Sequence, residues 1–353
     1  MSSIILDCGL MKFPNSGLYH YCLNMSEQVN KLLRKQQKPP MMMYVPPAER
    51  LQIQPEKHHI IERKWHKIWK PFLAGCKVWH APFQSGRIIP ERDSDTRVVL
   101  TVHDLNALHE GKAREEQLRS LAHTQNLIDR SDAIVCISEF TKNDVLNNCD
   151  VHGKPIHVIH NGLNKLSTPH LEATSYRPRR PFLFGLGYVN AKKNYHVLLP
   201  LLLANPDLEL VVAGHHDEPE YASRMWTMAE DMGVSDRLYL AGPISESEKA
   251  WYLDNCMAFL HPSLAEGFGF TVVEAMSFGK PVFISNLTSL PEIGGDVAFY
   301  FSDFEAEHMQ RVFREGMHTY STTPLAEQLK KRAENFSMER SASQYLDVYQ
   351  SLL

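Results

Sequence analysis

Two doubly wound parallel α/β sheets in series are the fold this sequence predicts, and three observations predict it. At 353 residues the chain exceeds what one hydrophobic core usually serves. Short β-branched runs recur, each closed by a polar or glycine-containing turn and followed by helical spacing, the pattern of parallel strands with crossover helices. Between two such series, residues 164–180 carry Pro169, Pro178 and several Ser/Thr residues but few aliphatics, a composition that neither packs nor continues a helix.

In the first series strands are expected at 4–6, 98–102, 133–137 and 156–159, with a helix over 18–33. In the second they are expected at 182–185, 208–213, 238–240, 258–260 and 282–284, with helices over 191–203, 221–232, 246–255 and 271–278. The division that follows is a first domain over 1–168, a linker over 169–180, a second domain over 181–335 and a final segment over 336–353. Helical spacing from Pro324 onward suggests that this last segment crosses back onto the first domain.

Composition narrows the function. Apolar residues make up 43% and charged residues 22%, so neither disorder nor a fibrous repeat is indicated. No uninterrupted apolar run approaches the ~18 residues of a membrane span, and the opening run 4–6 is closed by Asp7, unlike an export signal. Cys8, Cys22, Cys76, Cys136, Cys149 and Cys256 form no Cys-x-x-Cys pair and read as reduced thiols, so a cytoplasmic protein is expected. Residues 1–173 carry 22 Lys+Arg against 18 Asp+Glu, the remainder 15 against 23. That asymmetry is too mild for nucleic acid, yet it suits an N-terminal half that meets an anionic surface.

The most informative stretch is Glu266-Gly-Phe-Gly-Phe-Thr-Val-Val-Glu274, which follows a strand and runs into a helix ended by Gly279 and Pro281. Backbone N–H groups at Gly269, Phe270 and Thr271 would face an anion at that helix start, and glycine permits close approach. A diphosphate fits such a site. Glu274 is expected in the first helical turn, where a carboxylate is favoured by the helix dipole without any function. Two carboxylates bracketing glycines and aromatics are harder to assign to helix stability alone.

With this pattern the chain resembles glycosyltransferase family 4, whose hallmark is Glu-x7-Glu, and Gly279-Lys-Pro-Val-Phe-Ile-Ser-Asn286 through Pro291-Glu292-Ile-Gly294 is similar to the family's downstream segment. The resemblance implies a GT-B fold of two Rossmann-like domains with an interdomain cleft. It also implies a retaining glycosyltransferase that moves a sugar from a nucleotide-diphosphate sugar without a metal or other cofactor. Glu266 would then touch the donor sugar, Glu274 the ribose, and Phe268, Gly269, Phe270 and Thr271 the sugar and phosphate through backbone amides. Backbone around Gly242, Pro243 and Ile244 would meet the base.

Phe182-Leu-Phe-Gly-Leu-Gly-Tyr188 leads into Asn190-Ala-Lys192-Lys193. A nicotinamide site would need glycine where Asn190 stands, and no acidic partner ends the next strand. In the family an Arg and a Lys neutralise the donor phosphates. Lys193 matches the Lys, with Lys192 beside it, while Tyr188 stands where the Arg is expected. Thr101-Val-His-Asp-Leu105 resembles the family's strand end, which makes His103 a candidate for the reacting centre. Gly17, in Asn15-Ser16-Gly17, matches the first glycine loop. Ser138 and Asn161-Gly162 match family positions too, but cap and turn chemistry explain them.

Asp93-Ser-Asp95 has the form of a metal motif from another glycosyltransferase fold, in a loop where surface solvation is the better account. Over residues 60–72 a helix is expected, with Ile61, Trp65, Ile68, Trp69 and Phe72 on one stripe and basic residues largely elsewhere. Peripheral contact with anionic membrane and an ordinary core-facing helix both remain open. Bacterial mannosyltransferases of surface polysaccharide synthesis are the nearest resemblance. It implies GDP-mannose as donor, a saccharide or lipid-linked saccharide acceptor, and a place at the inner face of the cytoplasmic membrane. The alternatives are an inactive sugar-nucleotide-binding subunit and a nucleotide-sugar epimerase on the same fold.

Overall fold

A computed structural model describes residues 3–12, 17–47, 58–70, 73–84, 88–91, 94–163 and 176–353. The chain divides into two compact units, Met1–Asn164 with Ser337–Leu353, and Lys165–Phe336.

The first unit is built on β1 (Ile4–Asp7), α1 (Gly17–Lys35), β2 (Met42–Val45), β3 (His59–Ile61), β4 (Val78–Ala81), β5 (Arg97–Val102), α2 (Arg114–Asp129), β6 (Ala133–Cys136), α3 (Glu139–Asn148) and β7 (Ile156–Val158). Its seven-stranded sheet runs β3-β2-β1-β4-β5-β6-β7, and every pairing is parallel. β1, β4 and β5 are almost wholly buried, as strands covered on both faces must be. Three strands escape the sequence expectation. β2 is a methionine run, β3 is only His-Ile-Ile and half-buried at the sheet edge, and β4 reads Val-Trp-His-Ala, so none shows an extended β-branched run.

In the second unit β8 (Phe182–Leu186), α4 (Leu199–Ala204), β9 (Glu209–Ala213), α5 (Pro219–Asp231), β10 (Leu238–Gly242), α6 (Glu246–Asn255), β11 (Ala258–His261), α7 (Phe270–Ser277), β12 (Val282–Ser285), α8 (Leu290–Gly294), β13 (Phe299–Phe301), α9 (Ala306–Thr322) and α10 (Leu325–Glu334) follow in order. The six-stranded sheet runs β10-β9-β8-β11-β12-β13, again all parallel. α11 (Met338–Ser351) then belongs to the first unit, where Ala342, Tyr345, Leu346 and Tyr349 share a core with α1 and β1. A Cβ on Gly162 would fall 2.3 Å from the Met338 Cα, so this glycine answers to packing.

Two expected helices are corrected. Residues 191–203 form 3-10 turns at Ala191–Lys193 and Tyr195–Leu198 before α4, because Asn194 adopts a left-handed backbone (φ 60) and interrupts the ladder. The stripe over 60–72 does not form either. Ile60 and Ile61 pair with Tyr44 and Val45 as part of β3, leaving one 3-10 turn at Lys64–Lys67. Trp65, Ile68 and Trp69 are 41%, 90% and 66% exposed, which removes the core reading, while His66 turns inward to the Tyr44 hydroxyl at 3.1 Å. Phe72 lies outside the described residues.

Most of the linker also lies outside them. Its described end is fastened to the second unit: Arg179 and Arg180 donate backbone N–H groups to Glu209 at 2.9 and 3.1 Å, and the Tyr176 hydroxyl donates to the same carboxylate at 2.6 Å. No helix among the described residues is long and apolar enough to cross a membrane.

Candidate active site

The second unit gathers its chemistry where the parallel strands end at their carboxyl side. The turns after β8, β9 and β10 are laced together, Gly187 donating to the Ala213 carbonyl at 2.9 Å and Gly214 to that of Gly242 at 2.8 Å. Gly214 sits at φ +144, and a Cβ there would lie 1.9 Å from the Gly187 oxygen, so only glycine permits this crossing. The Asn190 side chain caps the next turn by accepting from the Lys193 N–H at 3.1 Å, and the Lys192 carbonyl accepts from Leu264 at 2.8 Å. Together these bonds fix the Lys193 backbone beside the loop that follows β11.

That loop carries Glu266. Its N–H donates to the Thr288 hydroxyl at 2.9 Å, and the Ser289 hydroxyl donates to the carbonyls of Glu266 and Phe268 at 2.8 and 3.1 Å. One carboxylate oxygen of Glu266 receives both the Lys193 ammonium and, at 2.8 Å, His261 Nε2. Burial pushes the Glu266 carboxyl up, but the Lys193 charge and the His261 hydrogen bond overcome it and hold the group well below the ordinary glutamate value.

Gly269, at φ 109, begins α7 without a side-chain cap, and while the Val272 N–H bonds the Gly269 carbonyl at 3.0 Å, the N–H groups of Phe270 and Thr271 precede any intrahelical acceptor, and such a helix start favours an anion. The Phe268 side chain packs on Phe270 and Phe336, and its carbonyl is held by the Ser289 hydroxyl. Glu274 is placed differently from expectation. It is the fifth residue of α7, beyond the first turn, so the dipole account of it fails. Its partner is Lys249 on α6, at 2.6 Å. Burial raises the Glu274 carboxyl and Lys249 only partly offsets this, leaving it above the ordinary value. Gly242, at φ +66, Pro243 and Ile244 close β10 and lead into α6, so they precede the helix that carries Lys249.

In the first unit His103 follows β5 and is 8% exposed. Its Nε2 bonds the Pro82 carbonyl at 2.7 Å, its backbone N–H donates to Gln84 at 3.0 Å, and its carbonyl accepts from Thr141 at 3.2 Å. Burial brings its pKa down to about 4 against the opposing Pro82 bond, so the ring is neutral. Gly17 opens α1, whereas Asn15 and Ser16 lie outside the described residues. Ser138 caps α3, accepting from Thr141 N–H at 3.0 Å, in keeping with a structural role. Tyr188 is 52% exposed. Asp93 lies outside the described residues and Asp95 is exposed. Among the described residues no cluster of three or more His, Cys, Asp or Glu side chains is disposed to hold a metal.

The structure thus joins Lys193 to Glu266 and adds four residues that sequence reasoning passed over. Lys249 leaves no mark in the motif, because its link to Glu274 exists only in space. His261 had a legible sign, a histidine at a strand end directly before the loop, the same sign that singled out His103. Thr288 and Ser289 act through hydroxyls on the backbone of another loop, which no local pattern announces.

Two all-parallel-sheet units, the second with an open helix start and a paired Lys and Glu at its strand ends, define a protein of the GT-B class. Residues 27–165 match Glycosyltransferase Family 4 and residues 171–336 match Glycosyl transferases group 1, and the chain belongs to these glycosyltransferases. Among curated relatives, the Escherichia coli serotype-specific mannosyltransferase WbdA is 26% identical over 65% of this chain and 30% of its own length. The chain thus spans about a third of that relative. The lipopolysaccharide core biosynthesis mannosyltransferase LpsB of Rhizobium meliloti is 26% identical over 81% of this chain and 83% of its own. The fold is shared with sucrose-phosphate synthase from Thermosynechococcus elongatus, at TM-score 0.76 and 18% identity over 99% of this chain and 98% of that one. It is shared also with the Anabaena protein HepE solved with UDP and glucose, at TM-score 0.74 and 16% identity over 99% of each chain.

Proposed function

We propose that this glycosyltransferase moves mannose from GDP-mannose, with retention of configuration, to a saccharide or lipid-linked saccharide acceptor in bacterial polysaccharide or lipopolysaccharide synthesis. The observation that carries the donor site is the meeting of Lys193, Glu266 and the uncapped start of α7 at adjoining strand ends. The choice of mannose is supported by what WbdA and LpsB are named for.

In this reading the α7 amides and Lys193 stabilise the departing diphosphate, electrostatic help aimed where charge develops. Glu266 holds hydroxyls of the donor sugar, Glu274 accepts from the ribose, and Gly242 to Ile244 meet the base. The neutral His103 serves the reacting centre, and the departing phosphate assists deprotonation of the acceptor on the same face. No metal is required. Titration of the full chain with GDP and with UDP is the test of donor class, and a clear preference for UDP would sink the mannose assignment.

Contact with an anionic membrane belongs to the same proposal. It is favoured by the exposed Trp65, Ile68 and Trp69 next to Arg63, Lys64 and Lys70, apolar and basic groups side by side at a surface. Replacing Trp65 and Trp69 by Ser should weaken binding to anionic vesicles and leave thermal unfolding unchanged, since neither ring is in a core. Salt should weaken the wild-type protein's binding through screening. Equal vesicle binding by both proteins would refute the membrane assignment.

A further inference from the structure

Two groups share one oxygen of Glu266, and they differ in how firmly they are held. His261 ends the interior strand β11 and is 1% exposed. Its ring stacks on Phe259, two residues earlier on the same strand face, with centroids 6.1 Å apart and planes at 14°. Its Nδ1 is buried without a hydrogen-bond partner, and Pro262 offers no N–H to supply one. The bonding pattern therefore assigns the proton to Nε2, which donates to Glu266. Lys193 instead reaches Glu266 along a flexible four-carbon stem from a short 3-10 turn. Its ammonium is held on the loop that leads into α7, so in the donor-site reading a bound diphosphate and Glu266 would compete for it.

We propose that His261 is a positioning residue for Glu266, keeping that carboxylate in place while Lys193 passes from it to the diphosphate of the donor. The proposal rests on the donor-site reading above. Without a diphosphate, Lys193 neutralises Glu266. Once the diphosphate claims Lys193, a carboxylate in a nearly buried site still needs a donor, and His261 supplies it from a fixed position. The other Glu266 oxygen, which receives neither group, is left for the sugar.

Exchange of this kind makes Glu266 an opponent of nucleoside diphosphate binding, and it can be read without a sugar or an acceptor. The full chain is titrated calorimetrically with GDP and with UDP as wild type, Glu266→Gln, Lys193→Met, their double variant, His261→Phe and His261→Gln. Glu266→Gln should tighten binding roughly threefold to tenfold, the size of a modest ion-pair energy, and the gain should vanish when Lys193→Met is present. His261→Phe keeps the ring shape but not the donor. Glu266 then clings to Lys193 and diphosphate affinity falls several-fold. His261→Gln, whose side-chain amide can reach the same oxygen, should restore it, as should Glu266→Gln added to His261→Phe. A merely structural role for His261 would not be rescued by that second change. If Lys193→Met weakens binding while Glu266→Gln leaves it unchanged, the donor reading stands and the exchange is wrong. If His261→Phe folds and binds like wild type, the positioning role is wrong. If Lys193→Met changes nothing in either background, the donor-site reading itself fails.

Discussion

The two carboxylates of the Glu266 to Glu274 stretch are eight residues apart and live under opposite electrostatic conditions. Glu266 shares an oxygen between Lys193 and His261 and is held well below the ordinary carboxyl range, whereas Glu274, whose partner Lys249 also pairs with Glu246, stays above it. Glu274 is buried and Glu266 nearly so, so burial does not separate them; the two donors on Glu266 and the Glu246 charge near Glu274 do. The group with two donors is built to remain an anion and orient something uncharged. The group with one carries residual desolvation cost, which hydroxyls of a bound ribose would relieve.

The largest effect expected from this contrast is on turnover. Glu266→Ala should abolish transfer while nucleoside diphosphate affinity is kept or improved, because its proposed partner in the reaction is the sugar. A rate assay paired with a binding titration checks this, and joint loss of both would erase the distinction.

Stability should separate the pair next. Because the folded-state pKa of Glu266 is depressed, its contribution is present above the unfolded value of about 4.3 and is lost as pH falls through the folded value. For Glu274 the folded pKa is raised, so its contribution is present below the unfolded value and is lost as pH rises through the folded one. Glu266→Gln should therefore destabilise the protein at pH 7, by about 1 to 3 kcal/mol, and matter less only as the pH falls below about 4 towards the folded value. Glu274→Gln should be neutral or stabilising at pH 7, with its advantage shrinking towards acid. Thermal unfolding of both variants between about pH 2 and 8 is the check, and parallel pH profiles would contradict the electrostatic difference.

The smallest expected effect is none at all. EDTA should leave the transfer rate unchanged if amides and Lys193 neutralise the diphosphate, whereas loss of activity restored by manganese would bring the Asp93 and Asp95 loop back into consideration.

The second unit is far more legible in its sequence than the first. Five of its strands are β-branched or aliphatic runs between clear turns, and α6 falls at 246–255 as its spacing predicts. In the first unit β2, β3 and β4 are hidden, since each is only three or four residues long and carries Met or His among its strand formers, so no run stands out between turn signals. The tryptophan segment shows the same limit from the other side: its spacing fits a helix, but pairing of Ile60 and Ile61 with β2 prevails over local periodicity. Within the site, the loop that holds Glu266 and starts α7 is a local pattern and can be read. The Lys249 to Glu274 pair spans 25 residues and the Lys193 to Glu266 pair 73, distances that only the sheet topology closes.

The division of labour between the two carboxylates is tested most directly by side-by-side titration of Glu266→Ala and Glu274→Ala with GDP. Losing a hydrogen bond to a charged group costs ~1.5 to 3 kcal/mol, so Glu274→Ala should weaken GDP by about one to two orders of magnitude. Glu266→Ala should bind GDP at least as tightly as the wild type. Equal weakening in both variants, or weakening confined to Glu266→Ala, would contradict the assignment of sugar to one carboxylate and ribose to the other.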